Sequence, residues 1–248
     1  MKLSFIVPAY NEAKLITESL GSIRAALESL SRPGFESEII VVDNNSTDGT
    51  GELAKEAGAT VVFEPVNQIA RARNAGAAHA DGDWYIFVDA DSYPDAGLIG
   101  DVLRAIEKDE VIGGGSTVRM EDLHLLGWVF LNFWNGLSLL CRWAAGSFIF
   151  CTAEGFHAVG GFNEELFASE EIDFSKRLKR HGRARGKGPH ARGKGFTILR
   201  RHPLRTSERK MHLYSLPEIC GFTLRYLCSP RRTVRNRQLL KLWYDGRR

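Results

Sequence analysis

Four times in its first hundred residues the chain lays down a short apolar, β-branched run and then a stretch whose apolar positions recur every three or four residues. LSFIVP (3–8) is stopped by Pro8, and Leu15, Ile16, Leu20, Ile23 and Leu27 follow at helical spacing from Glu12. SEIIVVD (37–43) precedes a polar turn and a helix expected to be capped by Ser46 or Asp48. TVVFE (60–64) leads into the alanine-rich QIARARNAGAAHA (68–80), and DWYIFVDAD (83–91) into a helix opened by Pro94 and Asp95. Strands alternating with helices need parallel pairing, helices on both faces and right-handed crossovers, so an α/β fold with a mostly parallel central sheet is expected. In such sheets ligands gather at the carboxyl ends of the strands. Pro8-Tyr10-Asn11-Glu12, Asp43-Asn44-Asn45 and Asp89-Asp91 all fall there.

The second half is less regular. VIGGGSTVRM (111–120) reads as a strand, GSFIFCTAEGFHAVGGF (146–162) as a strand and turn, and SEEIDFSKRLKRHG (169–182) as an amphipathic helix with Ile172, Phe174 and Leu178 inward. Residues 125–141 carry no charged side chain. At 17 residues that run is short of the ~20 that span a bilayer, and Asn132, Asn135 and Ser138 interrupt it, so a buried or interfacial helix is expected. RARGKGPHARGKG (183–195) reads as a basic loop, and SLPEICGFTLRYLC (215–228) as a weak amphipathic helix. The four cysteines form no CxxC pair and no zinc spacing, which suggests reduced thiols in a cytoplasmic protein, and the amino terminus implies no export. Of 33 Lys and Arg, 22 lie in residues 176–248, against 3 of the 30 Asp and Glu. This acidic body with a basic end suits an anionic partner such as lipid, nucleic acid or a phosphorylated substrate, or a solvated terminus.

If extended geometry persists past Val88, Asp89 and Asp91 point to one side, two carboxylates ~5–7 Å apart that repel without a counter-ion. Mg²⁺ or Mn²⁺ would remove that repulsion, and Mg²⁺ in particular fills its shell with water and substrate phosphates, so a nucleotide diphosphate is the natural partner. The alternative for this triplet is a turn cap. No GxGxxG or GxxxxGK[ST] follows the first strand, which disfavours dinucleotide and P-loop cradles. Asp43 can accept from a base N–H, Asn11 can bond base or ribose, and Arg73 can reach the phosphates; a turn cap for Asp43 and a surface ion pair for Arg73 are the structural alternatives. Glu170, Glu171 and Asp173 open a helix, where negative charge suits the dipole, and Glu171 can act as general base if that helix start faces the cleft.

IVPAYNE, EIIVVDNNSTDGT, ARARNAGAAHADGDWYIFVDADS and VGGFNEELFASEEIDFSKRL, in that order over roughly residues 1–185, resemble the landmarks of family 2 glycosyltransferases. The resemblance implies the GT-A fold, a three-layer α/β sandwich, and inverting transfer from a UDP- or GDP-sugar. It implies that Pro8, Tyr10, Glu12 and Asp43 hold the nucleoside and that Asp89 and Asp91 ligate a divalent cation, Mg²⁺ or Mn²⁺, bridging the phosphates. The family's Glu-Asp pair maps onto Glu170-Glu171, with Glu171 the base where Asp is usual, a difference of ~1 Å in reach, and with neighbouring Glu170 or Asp173 as the alternative base. His202 is a candidate third metal ligand or phosphate contact, and Arg205 or Arg209 a candidate to close over the leaving group. The expected organisation is a catalytic domain over 1–205, with a nucleotide-binding half (1–95) and an acceptor half (96–205), then a basic helical tail over 206–248. The acceptor is expected to be lipid-linked or presented at a membrane surface, with peripheral contact at the inner face of the cell membrane and no nucleic-acid partner. The competing readings are a non-catalytic nucleotide-sugar binder of the same fold, and a nucleotidyltransferase, which the glycine-free VPAYNEAK disfavours.

Overall fold

The computed structural model describes residues 1–30, 34–184, 195–207, 234–236 and 240. The amino-terminal part alternates as its sequence pattern requires: β1 (Lys2–Ala9), α1 (Ile16–Ser29), β2 (Glu36–Asp43), α2 (Thr50–Glu56), β3 (Thr60–Phe63), α3 (Ile69–His79) and β4 (Trp84–Val88). β1 pairs in parallel with β2 and β4, and β2 with β3. There follow β5 (Ser92–Tyr93), α4 (Ala96–Glu107), β6 (Val111–Arg119), α5 (Leu125–Cys141), β7 (Phe148–Thr152), α6 (Ala153–Ala158), α7 (Glu170–Ala184) and β8 (Gly195–Thr206). All strands join one sheet in the order β3-β2-β1-β4-β7-β6-β8-β5. β7 runs antiparallel to β4 and β6, β8 is parallel to β6, and the short β5 caps β8 antiparallel, so the sheet is mixed but mostly parallel.

Two cores make the sandwich. The two-residue repeat of a strand sends Leu3, Phe5 and Val7 with Trp84, Ile86 and Val88 to one face, against Ile16, Leu20 and Ile23 of α1 and Leu98, Ile99 and Val102 of α4. Ile6, Tyr85 and Phe87 point to the other, against Ala70 and Ala77 of α3, Phe156 of α6 and Phe174 and Leu178 of α7. The alanines let α3 lie close to the sheet. Gly76 brings it closer still, since a Cβ there would sit 2.4 Å from Ile6 Cγ2 and 2.9 Å from Val42 Cγ2.

One expectation changes. The segment after β7 is a helix, not a turn alone, because Thr152 Oγ1 accepts from Gly155 N and starts α6. All strands share one sheet, in which Tyr93 pairs Arg205 across the 95/96 boundary and Ser92 pairs Thr206 across both proposed boundaries. The basic loop, apart from its first and last residues, and the helix at 215–228 lie outside the described residues, as does most of the tail. Val234 and Leu240 pack on Ala168, with Leu166 and Phe167 beside them, and Phe167 N donates to Val234 O at 2.7 Å.

Candidate active site

β1 and β2 end level, Ala9 opposite Asp43, and the loops beyond them are laced together. Asn11 adopts a left-handed conformation (φ 52°), which asparagine tolerates. Its N–H donates to Ser46 Oγ at 3.0 Å and its Oδ1 accepts from Thr47 N at 2.8 Å. Glu12 N donates to Thr50 Oγ1, and Ala13 N to Asp48 Oδ2. Asp48, not Ser46, meets the start of α2, accepting from Thr50 N at 3.2 Å. Glu12 is buried, and its carbonyl accepts from Leu15 N and Ile16 N to open α1. Asp43 Oδ1 accepts from Ser46 N at 2.9 Å, the turn-capping role. The side-chain oxygen of Asn11 is therefore engaged by the protein, and it ties the loop after β1 to the loop after β2.

β4 stops at Val88, so the expected extension does not persist: Ser92 N donates to Asp89 O and residues 89–91 form a turn. The turn is fixed at both ends. Asp89 N donates to Ser147 O at 3.2 Å, while Asp91 O accepts from Ser207 N at 3.0 Å and Thr206 Oγ1 at 3.3 Å. Ser92 Oγ donates to Thr206 Oγ1, and Ser19 Oγ of α1 to Ser92 O. Asp91 is only 4% exposed. The end of β8 thus locates the second aspartate of the pair, which no sequence pattern announced.

Beside this turn lies a buried charge cluster. Arg73, 1% exposed, donates to Glu170 Oε1 at 2.8 Å, to Asp89 Oδ1 at 3.2 Å and to the Gly146 carbonyl at 2.7 Å, and its guanidinium lies 5.1 Å from the Phe162 ring centroid. Arg73 is not the surface ion pair that was its structural alternative: it is buried, and both terminal nitrogens bond protein groups. Glu170 is likewise no simple helix cap. Its side chain points inward with Phe174, Leu178 and Gly182 on one stripe of α7, and Ile172 is only half-buried. Burial opposes the charge on Arg73, but Asp89, Glu170 and Glu171 outweigh it and hold its pKa raised. Glu171 is pushed up to about 8 by desolvation first and Glu170 next, with Arg73 pulling the other way.

Loop 162–166, which leads to α7, is tied to α3. Asn74 Nδ2 donates to Phe162 O and its Oδ1 accepts from Phe162 N; Gln68 Nε2 donates to Glu164 O and Leu166 O. Asn44 in turn accepts from Gln68 N at 2.9 Å. Gln68 and Asn74 were not among the candidate residues, although an amide on the alanine-rich face of α3 was a signal for Asn74.

Pro8 and Tyr10 flank the end of β1, Pro8 buried and Tyr10 half-buried. His202 is held by α4. Its Nδ1 bonds to Asp101 Oδ2 of α4 at 2.8 Å, its ring packs where Gly97 leaves room, and among the described residues no three His, Cys, Asp or Glu gather as a metal set. Arg205 lies over the Tyr93 ring, 4.2 Å from its centroid, and pairs with Glu18. Arg209 falls outside the described residues. The Asp89–Asp91 pair still fits Mg²⁺ or Mn²⁺, since hard carboxylate oxygens are right for either and magnesium keeps only one or two of them.

A sandwich whose parallel strands end on paired aspartates, faced by a second acidic pair at a helix start, has the architecture of GT-A sugar-nucleotide transferases. The chain belongs to that class by sequence as well: residues 4–152 match Glycosyl transferase family 2, and it is a member of that family. Protein RfbJ of Shigella flexneri is 30% identical over 109 residues, 44% of this chain and 79% of that protein. Dolichol-phosphate mannosyltransferase of Pyrococcus furiosus is 33% identical over 124 residues, 47% of this chain and 33% of that one. The mannosyltransferase PcManGT from Pyrobaculum calidifontis, solved with GDP-Man and Mn²⁺, shares the fold with a TM-score of 0.66 at 20% identity, over 94% of this chain and 62% of its own. S. aureus TarS 1-349 with UDP-GlcNAc gives 0.63 at 20%, over 92% and 65%. The chain thus spans less than two thirds of these solved relatives.

Proposed function

We propose that this chain transfers a sugar, with inversion, from a UDP- or GDP-sugar to an acceptor hydroxyl. The observation that carries the reading is Arg73, which joins the turn after β4 to the start of α7 and so fixes the candidate donor-side carboxylate Asp89 relative to Glu170-Glu171. Family membership and the nucleotide sugars in the relatives' complexes support the donor class.

Asp43 and the Tyr10–Glu12 loop receive the nucleoside, and Asp89 and Asp91 would hold Mg²⁺ or Mn²⁺. When bound, that ion supplies charge neutralisation for the departing diphosphate. Glu171 takes the proton of the acceptor hydroxyl as its oxygen forms a bond to the anomeric carbon from the face opposite the leaving group. The carbon–oxygen bond to the diphosphate breaks with its electron pair on the nucleoside diphosphate, so the product has inverted configuration. With its pKa pushed up to about 8, Glu171 is a strong enough base for this and keeps the proton it takes. We place Arg205 near the leaving group and leave His202 to orient against Asp101. The acceptor is lipid-linked or held at a membrane surface, and the enzyme works in the cytoplasm at the inner face of the cell membrane; free thiols at Cys141 and Cys151 accord with that compartment.

The test pairs a thermal-shift screen of UDP- and GDP-sugars, with and without Mn²⁺, with donor hydrolysis by the wild type, Asp91→Asn and Glu171→Gln. Asp91→Asn should lose the metal-dependent donor shift; Glu171→Gln should keep it and lose turnover by at least about 100-fold. Equal turnover in all three would leave a non-catalytic binder as the better reading.

A further inference from the structure

The helix α5 is built inside out. Its inward stripe holds Gly127, Leu131, Trp134 and Ser138, none of them more than half-exposed, and its docking on β6 is polar: Asn135 Oδ1 accepts from Val118 N at 3.0 Å and Asn135 Nδ2 donates to Val118 O at 2.8 Å. The outward arc carries the large apolar groups, with Trp128 56%, Phe133 67% and Leu140 84% exposed. An ordinary surface helix shows the reverse distribution, and a patch of this kind marks an interaction site.

Cations gather where that apolar arc ends. Lys179 Nζ of α7 donates to the Cys141 carbonyl at 2.8 Å, Lys176 Nζ lies 4.7 Å from the Trp143 ring centroid, and Arg142 follows the last turn of α5. Arg142, Lys176 and Arg183 are exposed. Their crowding registers on Lys179, whose pKa is lowered by burial and then by Arg183, Lys176 and Arg142. Asp173 and the Glu170-Glu171 pair lie at the opposite end of α7, so the carboxyl-terminal end of that helix presents positive charge.

From these two features together, we infer that α5 lies flat in the headgroup region of an anionic bilayer, its Trp128–Phe133–Leu140 arc among the acyl chains and Arg142, Lys176 and Arg183 on the lipid phosphates. Indole and phenyl rings favour this depth, and each basic side chain near such a surface adds attraction that salt screens. No described helix is long and apolar enough to cross a membrane, so the contact is peripheral. This identifies the docking face for the membrane-presented acceptor proposed above and rests on that reading only for its purpose, since vesicle binding needs no donor.

The experiment is sedimentation of the full chain with vesicles of phosphatidylcholine alone or mixed equally with phosphatidylglycerol, at low and high salt. Wild type is expected to sediment with the mixed vesicles and to be released by salt. Trp128→Ser with Phe133→Ser should weaken partitioning at least about tenfold, and Lys176→Gln with Arg183→Gln by about thirtyfold at low salt. All these side chains are surface groups, and circular dichroism checks that the fold is kept. Failure to sediment, binding that either double variant leaves unchanged, or vesicle-indifferent self-association lost in the aromatic variant would each overturn the inference. A protein that binds vesicles but turns over no donor would instead sink the transfer reading and leave this surface standing.

Discussion

Replacing Arg73 with methionine keeps most of the aliphatic stem against Phe162 but removes the charge that three carboxylates share. At the observed separations of 2.8 and 3.2 Å, each ion pair is worth on the order of 5 kcal/mol at an effective dielectric constant of about 20, offset by the desolvation of a fully buried guanidinium. Removing one partner of a buried pair usually costs about 3–5 kcal/mol, because the other partner is left charged and dry. Here the orphans are acids, so the cost must depend on pH. If the folded variant holds one more proton than wild type, its stability deficit shrinks by about 1.4 kcal/mol per pH unit, from about 4 kcal/mol at pH 8 to about 1–2 at pH 6. Urea denaturation at the two pH values, with unchanged m, measures both figures. A deficit below about 1 kcal/mol at pH 8, or one equal at both pH values, would show that Arg73 does not organise this cluster.

Glu171 gives a second pH signature: kcat for transfer should rise with pH and level off near 8, and the shoulder should disappear in Glu171→Gln. In stability the same shift has a definite sign. The folded chain keeps a proton that the unfolded chain loses above about 4.5, so the group's stabilising contribution is present below that value and lost as pH rises to about 8. Glu171→Gln should therefore gain stability relative to wild type across that window, and a constant difference in melting temperature from pH 5 to 8 would refute it. Gly76→Val should destabilise by at least about 1–3 kcal/mol, since its side chain would meet Ile6 and Val42; calorimetry showing an unchanged melting temperature would contradict the close packing of α3. Burial pushes the Cys151 thiol up, so under native conditions a maleimide should label Cys141 well before Cys151, as read by peptide mass mapping.

Legibility in the sequence followed the range of the interactions. β1, β2, β3 and β4 and the helices between them declare themselves because each buries one face, and a periodic face is a local property of sequence. The convergence of Tyr10, Asp43 and Asp89 then follows from parallel topology alone. The partners of those residues do not. Arg73 meets Glu170 across 97 positions and Ser92 meets Thr206 across 114, and nothing near Arg73 in the chain separates a buried hub from a surface cation. The two readings of Glu170 stayed open for the same reason: at a helix start, a carboxylate serving the dipole and one serving a distant guanidinium look identical until α3 and α7 are packed on one sheet face.

The same packing implies that the donor and acceptor sides of the candidate site are not independent. Asp89 is held by Arg73, which also holds Glu170, while loop 162–166 before α7 is tied to α3 through Asn74 and Gln68. Asn74→Ala removes both bonds to Phe162 without touching a proposed nucleotide contact. Its side chain is only half-buried, so the protein should fold with a loss of about 1–3 kcal/mol. Because α7 then starts from a looser loop, Glu171 should lose its alignment on the acceptor while Asp89, Asp91 and Asp43 keep theirs. The expected result is a fall in kcat of about tenfold or more with the donor-induced thermal shift unchanged. Loss of donor binding in step with turnover would mean that Asn74 acts through the whole fold and not through the placement of α7.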